Sequence, residues 1–395
     1  MKAADEIKPI CYEKIDACAD QLKELARLIH KYPELGWMEK KACAWLADAL
    51  ATHGFATEKA FCDVPTAFVA RKETAPGPTI ALLAEYDALK GVGHGCGHNL
   101  IGPAAVGAAI GVASVIEKTA GGRVLVIGTP AEEFGTAETG KVLLQKRGAF
   151  DSVDVAILMH PMYANAPIVE SLAATRCNIT FRGHAAHAAL DPWNGVNALD
   201  AIRITFAGVD AARQQMHPEI RIHGIITKGG DAANIIPDKA SAVFMVRAPK
   251  HKLMEKTCER LRQCARGAST ATGARLSFRR VATVLCTRPN ATLQKLVNEN
   301  FDFLGVPVES PTKLLGSSDF GNITHQLPAV WFMVRTHPEG IPWHSREVHQ
   351  ASVQEMALSG MIVAAKVMAG ITVDLLCEPN LIAQARNDFK QAEDS

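Results

Sequence analysis

A two-domain α/β protein is predicted: a mainly parallel sheet sandwiched by helices, interrupted by an inserted ferredoxin-like α+β domain. Three observations carry this. The chain has 395 residues, 48% of them hydrophobic, which is enough for two cores. Short, continuous apolar runs at 79–84, 123–128 and 153–158 are separated by helical segments, the pattern of parallel strands buried on both faces. After about Leu172 the pattern switches to period-two alternation in the order strand, helix, strand, strand, helix, strand.

The elements follow in order. Leu22, Leu25, Ala26, Leu28 and Ile29 repeat at helical spacing, and a second helix is predicted from about Glu39 to Thr52. The Ala/Gly-rich stretch from about Gly102 to Glu117 reads as a buried helix between the first two strands. Its apolar core, Leu100 to Ile116, is read as the one long apolar run of the chain, and it is too short and too rich in Gly, Ala and Pro for a bilayer span. In the middle segment, strands are predicted at 177–181, 221–227, 240–246 and 274–281, with helices at about 196–214 and 253–265. The domains are therefore placed at 1–172 plus 287–395 for the first unit and 173–286 for the inserted one.

Composition excludes some functions. Net charge is +1 with both signs interspersed, so the basic face of a nucleic-acid binder is absent. Met1 to Asp20 shows no apolar leader, no membrane partner is expected, and the ten cysteines contain no CxxC pair. Reduced thiols in a cytoplasm are the expectation.

Chemistry-bearing residues follow the strands of the first domain. Glu85-Tyr-Asp87 runs into Gly93-His-Gly-Cys96-Gly-His98-Asn99; Thr129-Pro-Ala-Glu132-Glu133 follows the second strand; Met159-His160-Pro161 follows the third. Taken singly, each has an ordinary structural reading: a buried thiol, a solvated acidic turn, a strand end. Taken together, they converge beyond the carboxyl ends of strands, where open α/β sheets bind ligands. Thiolate, imidazole and carboxylate are all competent zinc donors, and imidazole with carboxylate also suits manganese.

Gly-Cys-Gly-His at 95–98, Pro-Ala-Glu-Glu at 130–133 and Met-His-Pro at 159–161 resemble the metal motifs of the aminoacylase and glutamate-carboxypeptidase superfamily, whose fold is the zinc-exopeptidase-like sheet. More narrowly, they resemble its amidohydrolase branch, with the auxin-conjugate, hippurate and aminobenzoyl-glutamate hydrolases. The similarity continues in Gly183-His-Ala-Ala-His187, Asn234-Ile-Ile-Pro237, Gly316-Ser-Ser-Asp-Phe-Gly321 and Trp343-His344-Ser345. Asn99 and Glu85-Tyr86-Asp87 depart from the auxin-type pattern and look closer to the β-alanyl-dipeptide and aminobenzoyl-glutamate hydrolases.

The resemblance implies two divalent metal ions, Zn or Mn before Co or Ni, held by Cys96, His98, Glu133, His160 and His344. His337 and His349 crowd the same stretch as His344, and the residues alone do not choose among them. Glu132 takes the general-base position, and Asp87 orients a ligand imidazole. The inserted domain is implied to be a lid that pairs two subunits into a homodimer, with His187 reaching the tetrahedral intermediate, often in the neighbouring chain. Asn234 contacts substrate, Gly316 lets backbone approach it, and Arg247, with Arg221 as a rival, clamps a carboxylate. The implied activity is hydrolysis of an amide in an N-acyl amino acid or a small dipeptide-like substrate. Two other readings remain open to the residues: Cys96 as a thiol nucleophile, and a metal-retaining scaffold without catalysis.

Overall fold

The computed structural model describes residues 3–133, 138–167, 170–309 and 316–393. Three helices, α1 (Ala3–Ala17), α2 (Ala19–Lys31) and α3 (Lys40–Thr52), precede a hairpin of β1 (Ala56–Lys59) and β2 (Phe68–Glu73). Then come β3 (Thr79–Ala84), α4 (His98–Ala113), β4 (Arg123–Gly128), α5 (Gly140–Lys146) and β5 (Val155–Met162). The inserted unit comprises β6 (Ala173–Arg182), α6 (Ala198–Arg213), β7 (Arg221–Lys228), β8 (Lys239–Ala248), α7 (His251–Thr272) and β9 (Arg275–Val284). The chain returns through α8 (Ala291–Phe303), α9 (Phe320–Thr324), β10 (Ala329–Arg335), α10 (Arg346–Ala351), α11 (Glu355–Cys377) and α12 (Asn380–Glu393).

The first sheet has the order β1-β2-β4-β3-β5-β10. Strands β4, β3, β5 and β10 are parallel, and β2 and β1 extend one edge antiparallel. Every residue of β3 and β5 is buried, as strands covered on both faces require. Helix α4 packs between β3 and the helices α1, α2 and α11. Its small residues allow that crowding: a Cβ at Gly107 would stand 2.6 Å from Leu22 Cδ1.

Helix α4 starts at His98, four residues before the expected start, because Gly97 turns the chain at φ 76. The long apolar run is also corrected. Helix α11 is the described helix long and apolar enough to cross a bilayer, and it is mostly buried against α1, α4 and α8. Its Asp374 is matched inside the fold by Lys8 Nζ at 2.8 Å and by the Asn300 amide at 2.8 Å.

The inserted sheet has the order β7-β8-β6-β9, antiparallel throughout, which is the split βαβ arrangement. Residues of β8 alternate between partly and fully buried, and Phe181, Phe244 and Leu261 help to form a separate core with α6 and α7. The two chain crossings clasp each other. Ser171 N–H donates to Thr287 Oγ1 at 3.0 Å, and Thr287 N–H donates back to Ser171 Oγ at 3.1 Å.

Candidate metal centre

Parallel strands put their carboxyl ends on one side, so β3, β4 and β5 deliver Glu85 to Asp87, Glu132 with Glu133, and His160 to a common rim. The Cys96 loop closes over this rim. A Cβ at Gly97 would meet Pro161 Cγ at 2.9 Å, so only glycine lets the loop rest on the His160-Pro161 strand end.

Candidate ligand atoms lie within 4.8 Å of one another in three overlapping groups: Cys96–His98–His160, Cys96–Glu133–His344 and His98–Glu132–Glu133. Cys96 Sγ is 3.6 Å from His160 Nε2, and His344 Nε2 is 3.2 Å from Glu133 Oε1. Of the three late histidines, His344 reaches this set. His337 Nδ1 is beside the Thr336 hydroxyl at 3.1 Å, and His349 stacks on His30 with ring centroids 4.1 Å apart. Asn99 directs its amide to the carbonyls of Ala26 and Ser352.

Asp87 organises two candidate ligands at once. His98 Nδ1 lies 2.8 Å from its Oδ1, and the Glu133 N–H donates to its Oδ2 at 2.8 Å. A carboxylate accepts, so Nδ1 carries the hydrogen and Nε2 is left as the donor atom for a cation. That Nε2 is buried without a hydrogen-bond partner.

The electrostatics call for positive charge here. Burial disfavours a charged His98, but Asp87, Cys96 and Glu85 outweigh it and hold the imidazole well above its ordinary pKa. The adjacent glutamates are driven apart. Burial raises Glu133, yet His344 and His98 pull it down to about 2. Burial and the neighbouring Glu133, Glu85 and Asp319 push Glu132 well above the carboxylate range. The two adjacent carboxyls are thus held in opposite protonation tendencies, Glu133 toward the anion and Glu132 toward the acid. Burial and then His98 lower His160 to about 4, which keeps it neutral and able to ligate. An orphaned imidazole nitrogen and a mixed sulfur, nitrogen and oxygen donor set fit divalent metal ions.

This centre forms the floor of a cavity of about 450 Å³ between the two units. Trp331 and Trp343 line its side, and Gly316, Ser317 and Asp319 form a loop along it. Arg247 of β8 overhangs it, and its guanidinium donates to Ser317 Oγ at 3.3 Å. Among the described residues no carboxylate pairs with Arg247, and burial lowers its pKa. The rival Arg221 is exposed on edge strand β7, where it donates to the carbonyls of Pro218 and Ile220.

His187 and Asn234 lie outside this cavity. Both are exposed on the inserted unit, side by side: Ala188 N–H donates to Asn234 O at 3.0 Å, and His187 bridges to Ile235. A single chain therefore does not bring them to the candidate metal ligands.

Several residues of the site were not assigned from the sequence. Glu85 stood in a motif without a role, yet its Oε2 is 3.5 Å from His98 Nε2. Lys141 lies 2.6 Å from Glu85 and 2.5 Å from Asp319, and no motif marks it. Asp319 sits inside the Gly-Ser-Ser-Asp-Phe-Gly run, which was the available signal.

Residues 170–270 match the peptidase dimerisation domain of the M20 family. The chain is 35% identical to Xaa-Arg dipeptidase of Mus musculus, over 96% of this chain and 91% of that one. It is 27% identical to a p-aminobenzoyl-glutamate hydrolase chain of Escherichia coli (strain K12), over 99% and 96% respectively. In fold it is similar to a dinuclear metal-binding peptidase of the M20 family from Bacillus subtilis, with a TM-score of 0.69, 19% identity and coverage of 91% and 99%. The chain belongs to the M20 family of metal-dependent hydrolases that cleave amide bonds.

Proposed function

We propose that the chain hydrolyses dipeptides or N-acyl amino acids whose carboxyl-side residue keeps a free carboxylate, using paired divalent ions held by Cys96, His98, Glu133, His160 and His344. The observation that carries this is the cavity itself: a metal-ligand floor facing Arg247, a half-buried cation with no carboxylate partner among the described residues. Guanidinium geometry matches a carboxylate bidentately. Zn and Mn suit these donors best, with Co or Ni as further candidates.

When bound, such ions lower the pKa of a water and polarise the scissile carbonyl. Glu132 accepts the proton of the attacking water and returns it to the leaving amine, a role its elevated pKa supports. Asp87 holds His98 and Glu133 in place. Gly316 and Ser317 line the path of the substrate backbone.

A basic carboxyl-side residue is the favoured substrate class. Glu170 offers its side chain a carboxylate on the cavity wall, and Xaa-Arg dipeptidase is 35% identical over nearly the whole chain. The chain is proposed to act as a homodimer through the inserted unit. That unit exposes Trp193 at 77%, Leu190 at 72% and Ile225 at 66%, next to His187 and the open edge of β7. His187 Nδ1 accepts from the Ala189 N–H at 3.2 Å, so Nε2 carries the hydrogen that an oxyanion donor needs. Asn234 beside it is proposed to touch the substrate of the neighbouring chain. A cytoplasmic setting fits the unpaired cysteines, among them Cys177 and Cys258 with sulfurs 3.6 Å apart.

A cysteine-nucleophile mechanism is disfavoured. It leaves the gathering of Glu133 and His344 around the Cys96 sulfur without a purpose. The test is Glu132→Gln assayed on an Xaa-Arg dipeptide: kcat should fall by at least about a hundredfold while metal content stays at the wild-type value. Wild-type turnover in that variant overturns the mechanism.

A further inference from the structure

Lys141 is fully buried at the start of α5, an uncommon place for a lysine unless it is paired. Its ammonium lies 2.6 Å from Glu85 Oε1 and 2.5 Å from Asp319 Oδ1. Its backbone N–H donates to the other Asp319 oxygen at 3.0 Å, so one residue holds both oxygens of that carboxylate.

The two acids face different halves of the site. Glu85 Oε2 is 3.5 Å from Nε2 of His98, the nitrogen left over for a metal. Asp319 ends the Gly316 to Ser318 loop and is followed at once by α9, where the Phe320 N–H donates to Ser318 Oγ at 3.2 Å. Ser317 in that loop accepts from Arg247 at 3.3 Å. Contacts therefore run without a break from a metal ligand through Glu85, Lys141, Asp319 and the serine loop to the cation overhanging the cavity. We propose that Lys141 is a positioning residue: by fixing Asp319 it holds Ser317 beneath Arg247 and sets the distance between the carboxylate clamp and the metal centre.

Charge balance alone does not require this arrangement. A lysine that merely neutralised buried acids could sit anywhere beside them. Lys141 also commits its backbone N–H to the loop acid, and Gln145, one turn on, donates to the Asn322 carbonyl of α9 at 3.3 Å. Helix α5 thus grips Asp319, at the end of the substrate loop, and the helix that follows it. The assignment rests on Arg247 being the carboxylate clamp, so the experiment must separate failure of the two.

The variants are Lys141→Met, Asp319→Asn, Arg247→Met and the double Lys141→Met/Arg247→Met, each as the full chain with its metal content measured. Binding of L-arginine and of L-argininamide, which lacks the carboxylate, is read from the fluorescence of Trp331 and Trp343 in the cavity wall. Lys141→Met and Asp319→Asn should each weaken L-arginine by about tenfold or more and leave L-argininamide within about twofold. The double variant should bind L-arginine no more weakly than Arg247→Met alone, because both changes disable one clamp. If Lys141→Met does not fold, Asp319→Asn decides, since it keeps the contact between Lys141 and Glu85. Retained preference for L-arginine in the Lys141 and Asp319 variants, with its loss in Arg247→Met, overturns the positioning role alone. Retained preference in Arg247→Met overturns the clamp, and the positioning role with it.

Discussion

Replacing Asp87 with Asn keeps its shape and removes one acceptor from a site that uses both. In the native site, Oδ1 faces His98 Nδ1 and Oδ2 accepts the Glu133 N–H, each at 2.8 Å. An amide has one oxygen. If that oxygen faces Glu133, its NH2 group faces His98 and forces the ring into the tautomer with hydrogen on Nε2, the nitrogen a metal needs. If it faces His98, the buried Glu133 N–H meets an NH2 group and loses its partner. An unsatisfied buried donor costs about 1–3 kcal/mol, and at about 1.4 kcal/mol per factor of ten the metal Kd should rise about five- to hundredfold. Loss of the carboxylate charge beside the cation acts in the same direction. The assay is competition against a chromophoric chelator, with folding checked by circular dichroism. A folded Asp87→Asn protein that binds metal within about twofold of wild type would refute the argument that Asp87 sets the ligand tautomer.

Two further outcomes are expected. Mixing inactive His187→Ala chains with inactive Glu132→Gln chains should restore about a quarter of wild-type activity, because a mixed dimer completes one site from two chains; no recovery after chain exchange contradicts His187 acting across the interface. Glu39 is fully buried, with Oε1 accepting the Ala131 N–H at 2.8 Å, and burial together with the Asp87 charge raises its carboxyl to about 8. Its folded pKa lies above the unfolded value of about 4.3, so its contribution to stability is full in acid and declines by about 1.4 kcal/mol per pH unit until pH passes the folded pKa. Glu39→Gln keeps the acceptor, so chemical denaturation should show the variant gaining on wild type from roughly pH 5 to 8, and parallel curves would contradict this.

Most of the fold was legible because its elements announce themselves by period. The runs at 79–84 and 123–128 are apolar after their first residues, Thr79 and Arg123, and those bounds are the observed strands β3 and β4. Alternation at 177–181, with the strand-like and helical segments after it, marked β6 to β9 and their two helices. Helix α1 was harder to see: it mixes Lys8 with apolar residues, and Lys8 is buried only because Asp374 waits on α11, hundreds of residues away. Strand β1 is short and largely exposed, so it carries no apolar signal.

The site divides in the same way. Cys96, His98, Glu133 and His160 lie in compact motifs at strand ends, where local sequence determines position. Lys141 and Glu85 acquire meaning only through tertiary contact, since a lysine after Thr139-Gly140 looks like an ordinary surface residue until Asp319 is placed beside it. His187 and Asn234 show the opposite limit, because motifs name them while one chain leaves them outside the cavity.

The most direct test of the account is a crystal structure of the zinc- or manganese-loaded protein with anomalous data collected at the metal edge. The account predicts paired peaks among Cys96, His98, Glu133, His160 and His344, a few Å apart. Full metal content and full activity with no anomalous peak at these residues would contradict it.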